Sequence, residues 1–510
     1  MSQEEQYRRV AKNTVTLGGA QLVQMGVTLI RAKIVAILLG ATGMGINSLM
    51  LSVISVMQQV SAVGIYQSGV REMSVIAGEN KQKLSKFRKI FLLLSLVCGL
   101  GGMLLMILLS PLLSLLLFNN FDYMWWLALG ALTLVFMALY SGYSVIMQAT
   151  QNVGLMAKSS MAGAVLGLVL IIPLFYFFGI FAIIPAIILN YAAFYLSFRY
   201  FEHKIDFDRV CQYTKKEFLT YSGPILKLGV ILMASMIATT FFSFMLNLFI
   251  NRFGSIEEVG LYQSAASIIT QGMLIINVIL ASDFFPRISV IHTDCIQMQH
   301  TIKQQADIIL LIIAPISVLI ISLAPFIVWL LLSPEFTPVI NLIRLMGMAL
   351  IFKAMWILMS YIILAKGDKR SYFFFDALLG NGINLLISII GFYFGGLNGL
   401  ALAYLIGSVF MVGLLWGVTR NRYKITLAVY DLIKMVILSL FVIVTYLVAT
   451  YVQGVLGYGM LTLICILISS YSVSSTLAVS NIRNRTYTNY EVYLIGYGYG
   501  KFKEKIHFME

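Results

Sequence analysis

The chain has 510 residues, of which 60% are hydrophobic and 11% are charged, and its formal net charge at pH 7 is +14. Soluble globular proteins have about 45–50% apolar and about 25% charged residues, so this composition excludes a soluble enzyme or a soluble binding domain. Apolar stretches of about 20 residues recur along the chain, and each can cross a hydrocarbon core about 30 Å thick as a helix. The composition predicts an all-α polytopic membrane protein.

The first apolar stretch follows Arg8, Arg9 and Lys12. It is too long for the hydrophobic part of a cleaved signal peptide and lacks a small-residue cleavage site, so we expect it to be the first membrane span. Hydropathy predicts about fourteen spans along the whole chain. In chain order, spans 1 to 14 lie near residues 13–39, 43–66, 89–110, 123–147, 159–178, 179–199, 224–250, 256–284, 304–324, 339–365, 373–394, 397–418, 433–452 and 457–478.

Lysine and arginine are concentrated in alternate connections between the spans. The cationic segments are the N-terminus, the loops around 71–89, 200–216, 285–303, 366–370 and 419–434, and the tail after residue 479, whereas the opposite loops contain only Arg252. Because positive loops remain in the cytoplasm, both termini are predicted to be cytoplasmic. The net charge is therefore a signal of membrane topology, and a role in nucleic-acid binding is not indicated.

Three short stretches recur at nearly one spacing and predict an internal repeat. SVIMQATQN (144–152) matches SYIILAKGD (360–368), LLGATGMG (38–45) matches RFGSIEEVG (252–260), and FGIFAIIPA (178–186) matches GGLNGLALA (395–403). Two parallel six-helix repeats are a transporter architecture, with the substrate site between them. The predicted units are an N-terminal lobe (1–199), a cytoplasmic linker (200–223), a C-terminal lobe (224–418), an appended pair of helices (419–478) and a cytoplasmic tail (479–510).

Three cations lie deep within predicted spans. Arg31 and Lys33 interrupt the apolar run VTLIRAKIVAILLG in span 1, and Lys353 lies about midway along span 10. A mid-membrane charge costs at least about 2.5–3.5 kcal/mol on insertion scales, so such a residue is by default a candidate functional group. No carboxylate is expected at a similar depth, since Asp283 and Asp376 are predicted near the cytoplasmic ends of spans 8 and 11.

A cavity lined by cations without matching anions suits an anionic substrate, held by charge-assisted hydrogen bonds. The alternative is a structural ion pair whose partner the sequence does not identify. Arg344, early in span 10, fits either a substrate-binding residue or an anchor at the membrane surface. No phosphate-binding P-loop is present, and the four histidines and four cysteines show no metal-ligand or disulfide spacing, so neither a cofactor nor a metal is predicted.

Several motifs, in order along residues 10–420, resemble one family. They are AKIVAILLGATGMG, EEVGLYQSAASI, FFPRIS, LLLSPEFTPVINL and YIILAKGDKRSYFFFDAL. The chain resembles the bacterial polysaccharide flippases, which translocate lipid-linked oligosaccharides such as O-antigen units, within the multidrug/oligosaccharidyl-lipid/polysaccharide exporter superfamily. The resemblance implies a V-shaped pair of six-helix bundles around a cationic cavity in a bacterial inner membrane. It also implies a lysine at the positions of Lys33 and Lys353 and an acid at Asp376, but gives no support for Arg31.

The predicted function is a flippase, and not an enzyme, that moves an undecaprenyl-pyrophosphate-linked oligosaccharide to the periplasmic leaflet by alternating access. Arg31, Lys33 and Lys353 are predicted to bind the pyrophosphate, with Arg344 as a further candidate. Transport is expected to be driven by the membrane potential or by coupling to H⁺ or Na⁺ at Asp283 or Asp376. Membrane lipids, a polysaccharide polymerase and assembly machinery are the expected partners.

Three alternatives remain open at this point. A multidrug exporter of the same superfamily would transport cations and would need buried acids in its cavity. A membrane-bound polymerase or ligase would need a substantial outer loop carrying catalytic groups, and no predicted outer loop is long. A membrane scaffold would need neither the repeat nor the intramembrane charges.

Overall fold

A computed structural model of the protein describes residues 3–77, 81–207, 214–425, 427, 429–452, 457 and 459–470. This part of the chain is helical and contains no β-strand, which confirms the predicted all-α class. The α-helices are α1 (Gln3–Ala62), α2 (Ile65–Ala77), α3 (Lys81–Phe118), α4 (Met124–Gly130), α5 (Leu132–Ala149), α6 (Val153–Phe178), α7 (Ile183–Glu202), α8 (Lys215–Phe253), α9 (Ile256–Ile279), α10 (Phe285–Val290), α11 (Cys295–Ser322), α12 (Ala324–Leu331), α13 (Val339–Met348), α14 (Leu350–Ala365), α15 (Lys369–Ser371), α16 (Asn381–Tyr423), α17 (Val429–Tyr451) and α18 (Gly459–Ser470).

Nine helices in the described residues are long and apolar enough to cross a membrane, or ten if α13 and α14, which meet at 49°, form one span. Three long helical segments are broken by glycines with positive φ, at Gly40, Gly179 and Gly396. A straight helix of 45 residues would be about 68 Å long, more than twice the thickness of the hydrocarbon core. Predicted spans 1–2, 5–6 and 11–12 are thus helices that bend at glycine, and the total of fourteen remains a prediction.

Two of these bends form tight helical hairpins with related contacts. A side chain at Gly167 would approach the Asn190 amide oxygen at 2.6 Å, and a side chain at Gly407 would collide with the Asn384 amide oxygen. Asn384 follows Gly167 by 217 residues, and Gly407 follows Asn190 by the same number. The same glycine–asparagine contact therefore occurs in both hairpins, but the first helix carries the glycine in one hairpin and the asparagine in the other. Equivalent positions in contact are what two copies of one hairpin would show. The division into two lobes stays a prediction that this recurrence supports.

The buried side chains form two large clusters, one in each half of the chain. The first is built mainly from residues between Val35 and Ile187, and the second mainly from residues between Leu261 and Ile468. Helix α17 packs against α11, and the Lys434 ammonium lies 2.6 Å from the Asp307 carboxylate in that contact. The appended helix therefore attaches to the second half of the chain.

Candidate functional site

The two halves meet in a reciprocal contact between backbones, which joins the part of α1 just after its bend at Gly40 to the first turns of α9. A side chain at Gly45 would collide with the Ile256 carbonyl, and a side chain at Gly260 would collide with the Ala41 carbonyl. Ile256 follows Ala41 by 215 residues, and Gly260 follows Gly45 by the same number. Glycine is required at both positions because no Cβ fits between the chains. The backbones of the two halves are therefore in direct contact here, at the end of the spans that the distribution of charge predicts to face outward.

Arg31 lies on α1 nine residues before the bend at Gly40, which places it about 14 Å along the helix from that bend, well inside the apolar segment. Its side chain is half-buried, and the group that interacts with it electrostatically is the Tyr191 phenol of α7. Val35 and Leu39 follow on the same face of α1 and belong to the buried cluster of the first half. Within the described residues, no carboxylate forms an ion pair with Arg31.

Lys33 points to the opposite side of α1 from Arg31, since two residues correspond to about 200° around a helix. Its ammonium donates to the carbonyl oxygens of Leu330, at 2.6 Å, and Trp329, at 3.3 Å. These carbonyls belong to the last turn of α12, where backbone acceptors lack helical partners and the helix dipole favours a cation. In this conformation Lys33 connects α1 to the second half of the chain.

Lys353 lies in α14, and its ammonium is 3.4 Å from the centroid of the Trp356 ring and 6.0 Å from that of Tyr404. The Trp356 indole N–H donates to the Asp376 carboxylate at 2.7 Å, and the Ser360 hydroxyl donates to the same oxygen at 2.6 Å. Lys353 and Asp376 interact electrostatically across this tryptophan. The expectation that the deep cations have no carboxylate at a similar depth is wrong for Lys353. Hydropathy gives the ends of a span but not how far two neighbouring helices are shifted along each other.

Both candidate coupling acids lie in π-helical turns, a feature that hydropathy does not indicate. Asp283 belongs to the π-helix Leu280–Phe284, and Asp376 to the π-helix Tyr372–Gly380. Such turns often occur at functional sites. Their environments differ, however: Asp283 is exposed and forms an ion pair of 2.6 Å with Arg287, whereas Asp376 is half-buried against Trp356 and Ser360.

The predicted cations thus have separate environments. Arg31 lies beside Tyr191, Lys33 at the end of α12, and Lys353 beside Trp356, and no contact joins any two of these three in the described chain. Arg344 is half-buried in α13, the first helix of the bent pair. The structure does not bring the predicted substrate-binding residues into one cluster.

A polar cavity of about 230 Å³ opens between the halves beside Asp376. Its lining comes from α1, α8 and the π-helix: Gln59, Met236, Thr239, Thr240, Tyr372 and Ala377. The Asn381 amide connects the cavity to the backbone of the π-helix, since it donates to the Thr239 hydroxyl at 3.3 Å and to the backbone carbonyl of Asp376 at 3.2 Å. None of these residues is among the predicted site residues, although polar side chains within spans 2 and 7 could have indicated them.

A second cavity is an apolar groove of about 380 Å³ between α17 and α18. Seven of the side chains that line it are aromatic or aliphatic, and the eighth is Lys434: Tyr430, Ile433, Lys434, Ile437, Leu438, Phe441, Leu467 and Ile468. Lys434 forms an ion pair with Asp307, so the charge of this lining residue is neutralised and the other lining side chains are apolar or aromatic.

The sequence pattern of a family described as polysaccharide biosynthesis protein matches residues 34–341. Among solved structures, the fold is similar to that of the lipid II flippase MurJ in an inward closed conformation, with 16% identity, 92% of this chain and 100% of that chain covered, and a TM-score of 0.67. It is also similar to an inward-facing multidrug resistance MATE family transporter of the MOP superfamily, with 16% identity, 78% and 97% coverage, and a TM-score of 0.59. No curated protein sequence matches the chain.

Proposed function

The chain belongs to the polysaccharide biosynthesis protein family, and from that premise we propose that it is a flippase for undecaprenyl-pyrophosphate-linked oligosaccharide. It moves an O-antigen-type repeat unit from the cytoplasmic to the periplasmic leaflet of a bacterial inner membrane, with both of its own termini in the cytoplasm. The fold shared with MurJ and with MATE transporters, which are multi-pass membrane proteins, supports transport by alternating access. The match over residues 34–341 confirms the predicted family, and the fold shared with MurJ and MATE transporters is the one that the predicted superfamily implies.

One observation carries the proposed substrate class: Arg31 is a half-buried cation well inside the apolar segment of α1, with no carboxylate partner in the described residues. A buried charge is costly unless it is paired, so an anionic ligand would compensate it. A pyrophosphate offers several acceptor oxygens and can form charge-assisted, bidentate hydrogen bonds with a guanidinium. A cationic drug would be repelled by Arg31, which is why the multidrug exporter is the second candidate.

Lys353 would supply the second cation once the lobes move, since in this conformation it has an environment separate from that of Arg31 and Asp376 partly balances its charge across Trp356. Lys33 binds the carbonyls at the end of α12 in this conformation, so it can join the site only after α1 and α12 separate. Arg344 stays a further candidate. The sugars would occupy the polar cavity beside Asp376, and the polyprenyl tail would lie in lipid or in the apolar groove between α17 and α18.

Transport in this proposal needs no ATP. Moving one elementary charge across the membrane is worth about 2.3 kcal/mol per 100 mV, so two negative charges on the pyrophosphate gain about 4.6 kcal/mol per 100 mV of inside-negative potential. A coupled H⁺ or Na⁺ would act at Asp376 rather than at Asp283, because Asp283 is exposed and already paired with Arg287. A polysaccharide polymerase and assembly machinery would take the product at the outer side.

The test is the affinity of the purified protein for a polyprenyl pyrophosphate, measured in detergent by ligand-dependent thermal stabilisation. Loss of a hydrogen bond to a charged group costs about 1.5–3 kcal/mol, so Arg31→Gln and Lys353→Met should each weaken binding roughly 10- to 100-fold. The matched controls are Lys158→Met and Arg370→Gln, which remove exposed cations. Unchanged affinity in both site variants, together with stabilisation by a cationic dye, would favour the multidrug exporter.

A further inference from the structure

The last turn of α12 and the segment that follows it dock against α1 around the bend at Gly40. At one end of the contact, the Lys33 ammonium donates to the carbonyls of Trp329 and Leu330. Eight residues further along α1, the backbone N–H of Ala41 donates to Oε2 of Glu335 at 3.3 Å. Between these two points, the Ser333 hydroxyl donates to the Ala36 carbonyl at 3.2 Å. We call the interactions of Lys33 and Glu335 the outer clasp.

The bend at Gly40 creates the binding position for Glu335. Gly40 has φ +66°, and a side chain there would come within 2.7 Å of the Glu335 carboxylate. Because the bend interrupts the helical hydrogen bonds, the second part of α1 begins at Ala41 with backbone N–H groups that have no helical acceptor. A carboxylate is favourable at this helix N-terminus for the same electrostatic reason that a lysine is favourable at the end of α12.

The two interactions are therefore complementary. Lys33, in the first half of the chain, places a cation at the C-terminus of α12 in the second half. Glu335, in the second half, places a carboxylate at the start of the second part of α1. The Glu335 interaction adjoins the glycine contact, since Glu335 accepts from the Ala41 N–H and the Ala41 carbonyl faces Gly260. If the halves separate at the outer side, the ammonium of Lys33 loses its two acceptors and Glu335 loses its donor.

We propose that the outer clasp holds the outer side closed and that the pyrophosphate group of the substrate releases it by binding Lys33. A pyrophosphate is a stronger acceptor for an ammonium than two backbone carbonyls are, because the hydrogen bonds become charge-assisted on both sides. A ligand shifts a conformational equilibrium only by its differential affinity for the two states. Lys33 supplies that difference, since it is available to the ligand only when it has left α12. This inference rests on the proposed function.

The experiment measures the distance between two spin labels on the outer side in the full-length protein. The four native cysteines are replaced by serine, and the labels are attached through Asp122→Cys in the first half and Thr337→Cys in the second, both at exposed positions. The probe is inorganic pyrophosphate. In the labelled protein with Lys33 and Glu335 intact, the distance between the two labels should be mainly short. Addition of pyrophosphate should increase the population of molecules with the longer distance.

Two clasp variants separate the steps of the proposal. Glu335→Gln removes a charge-assisted hydrogen bond from the closed state only. Without pyrophosphate, it should therefore increase the population with the longer distance about tenfold. This variant should still respond to pyrophosphate. Lys33→Met should also open without pyrophosphate but should no longer respond to it. The matched control is Glu257→Gln, which neutralises an exposed outer carboxylate in the first turn of α9. If Lys33→Met does not fold, Lys33→Gln tests the same contact with a milder change, because it keeps a hydrogen-bond donor but removes the charge; it should open partially and lose most of the response to pyrophosphate.

The proposal is overturned if Lys33→Met keeps the distance distribution and the pyrophosphate response of the parent protein. It is also overturned if the parent protein transports lipid-linked pyrophosphate between leaflets but shows no change in distance with pyrophosphate, because then the ligand does not act on the clasp. Absence of both transport and response contradicts the proposed function itself. The two failures are thus distinguishable.

Discussion

The ion pair between Lys434 of α17 and Asp307 of α11 allows a quantitative prediction about the appended helix. The ammonium and the carboxylate are 2.6 Å apart, and their side chains are only 9% and 19% exposed. Removing one partner of a buried pair costs about 3–5 kcal/mol, because the other charge is left uncompensated. Since Asp307 keeps some exposure, we expect Lys434→Met to cost about 3 kcal/mol, at the lower end of that range.

With an unfolding entropy of about 2.1 cal/mol/K per residue, this cost corresponds to a decrease in Tm of roughly 3 °C for a chain of 510 residues that unfolds as one unit. The assay is thermal unfolding in detergent, followed by intrinsic fluorescence. The double variant Lys434→Met/Asp307→Leu should recover most of the loss, because no unpaired charge remains. If the double variant loses as much stability as the two single variants together, the residues do not act as a pair and the reasoning is wrong.

Three further predictions concern the site and its surroundings. Gly260→Ala should shift the protein away from the outer-closed state, since its Cβ collides with the Ala41 carbonyl, and disulfide trapping across the outer side should become less efficient. Asp376→Asn should reduce transport at least about tenfold, by loss of a charged hydrogen-bond acceptor, whereas Asp283→Asn should have a smaller effect; equal effects in a vesicle transport assay would contradict the assignment. The Ser371 backbone N–H, followed by its hydroxyl, lowers the pKa of Asp368 to about 2. Because the folded pKa is depressed, the stabilisation is present above about pH 3.8 and is lost as the pH falls towards 2. The Tm difference from Asp368→Asn should therefore shrink over that interval, and a constant difference would refute the assignment.

The spans and the family could be predicted because both depend on local patterns in the sequence. Hydropathy identifies a helix from its own residues, and the bends at Gly40, Gly179 and Gly396 fall at or within two residues of predicted boundaries between spans. Motif order along the chain was sufficient for the family, which the match over residues 34–341 confirms.

The site was harder to predict because its contacts are not local. Lys33 and its acceptor Leu330 are 297 residues apart, and nothing near Lys33 in the sequence indicates that its ammonium has a partner. Arg31 and Lys33 were grouped by depth, although the helical rotation between them directs one into the first half and the other towards the second. Asp376 lies in a π-helical turn and interacts with Lys353 on another helix, and a hydropathy profile contains no signal for either feature.

The central claim is that the protein moves a pyrophosphate-linked oligosaccharide between leaflets by means of its deep cations. The most direct measurement reconstitutes the protein in liposomes with a polyprenyl-pyrophosphate oligosaccharide and probes the outer leaflet with an enzyme that cannot cross the membrane. We predict protein-dependent exchange between leaflets that is lost in Arg31→Gln/Lys353→Met and retained in the exposed-cation control Lys158→Met/Arg370→Gln. Exchange at the same rate in both double variants would contradict the role of the cations, and no exchange in the parent protein would contradict the proposed flippase.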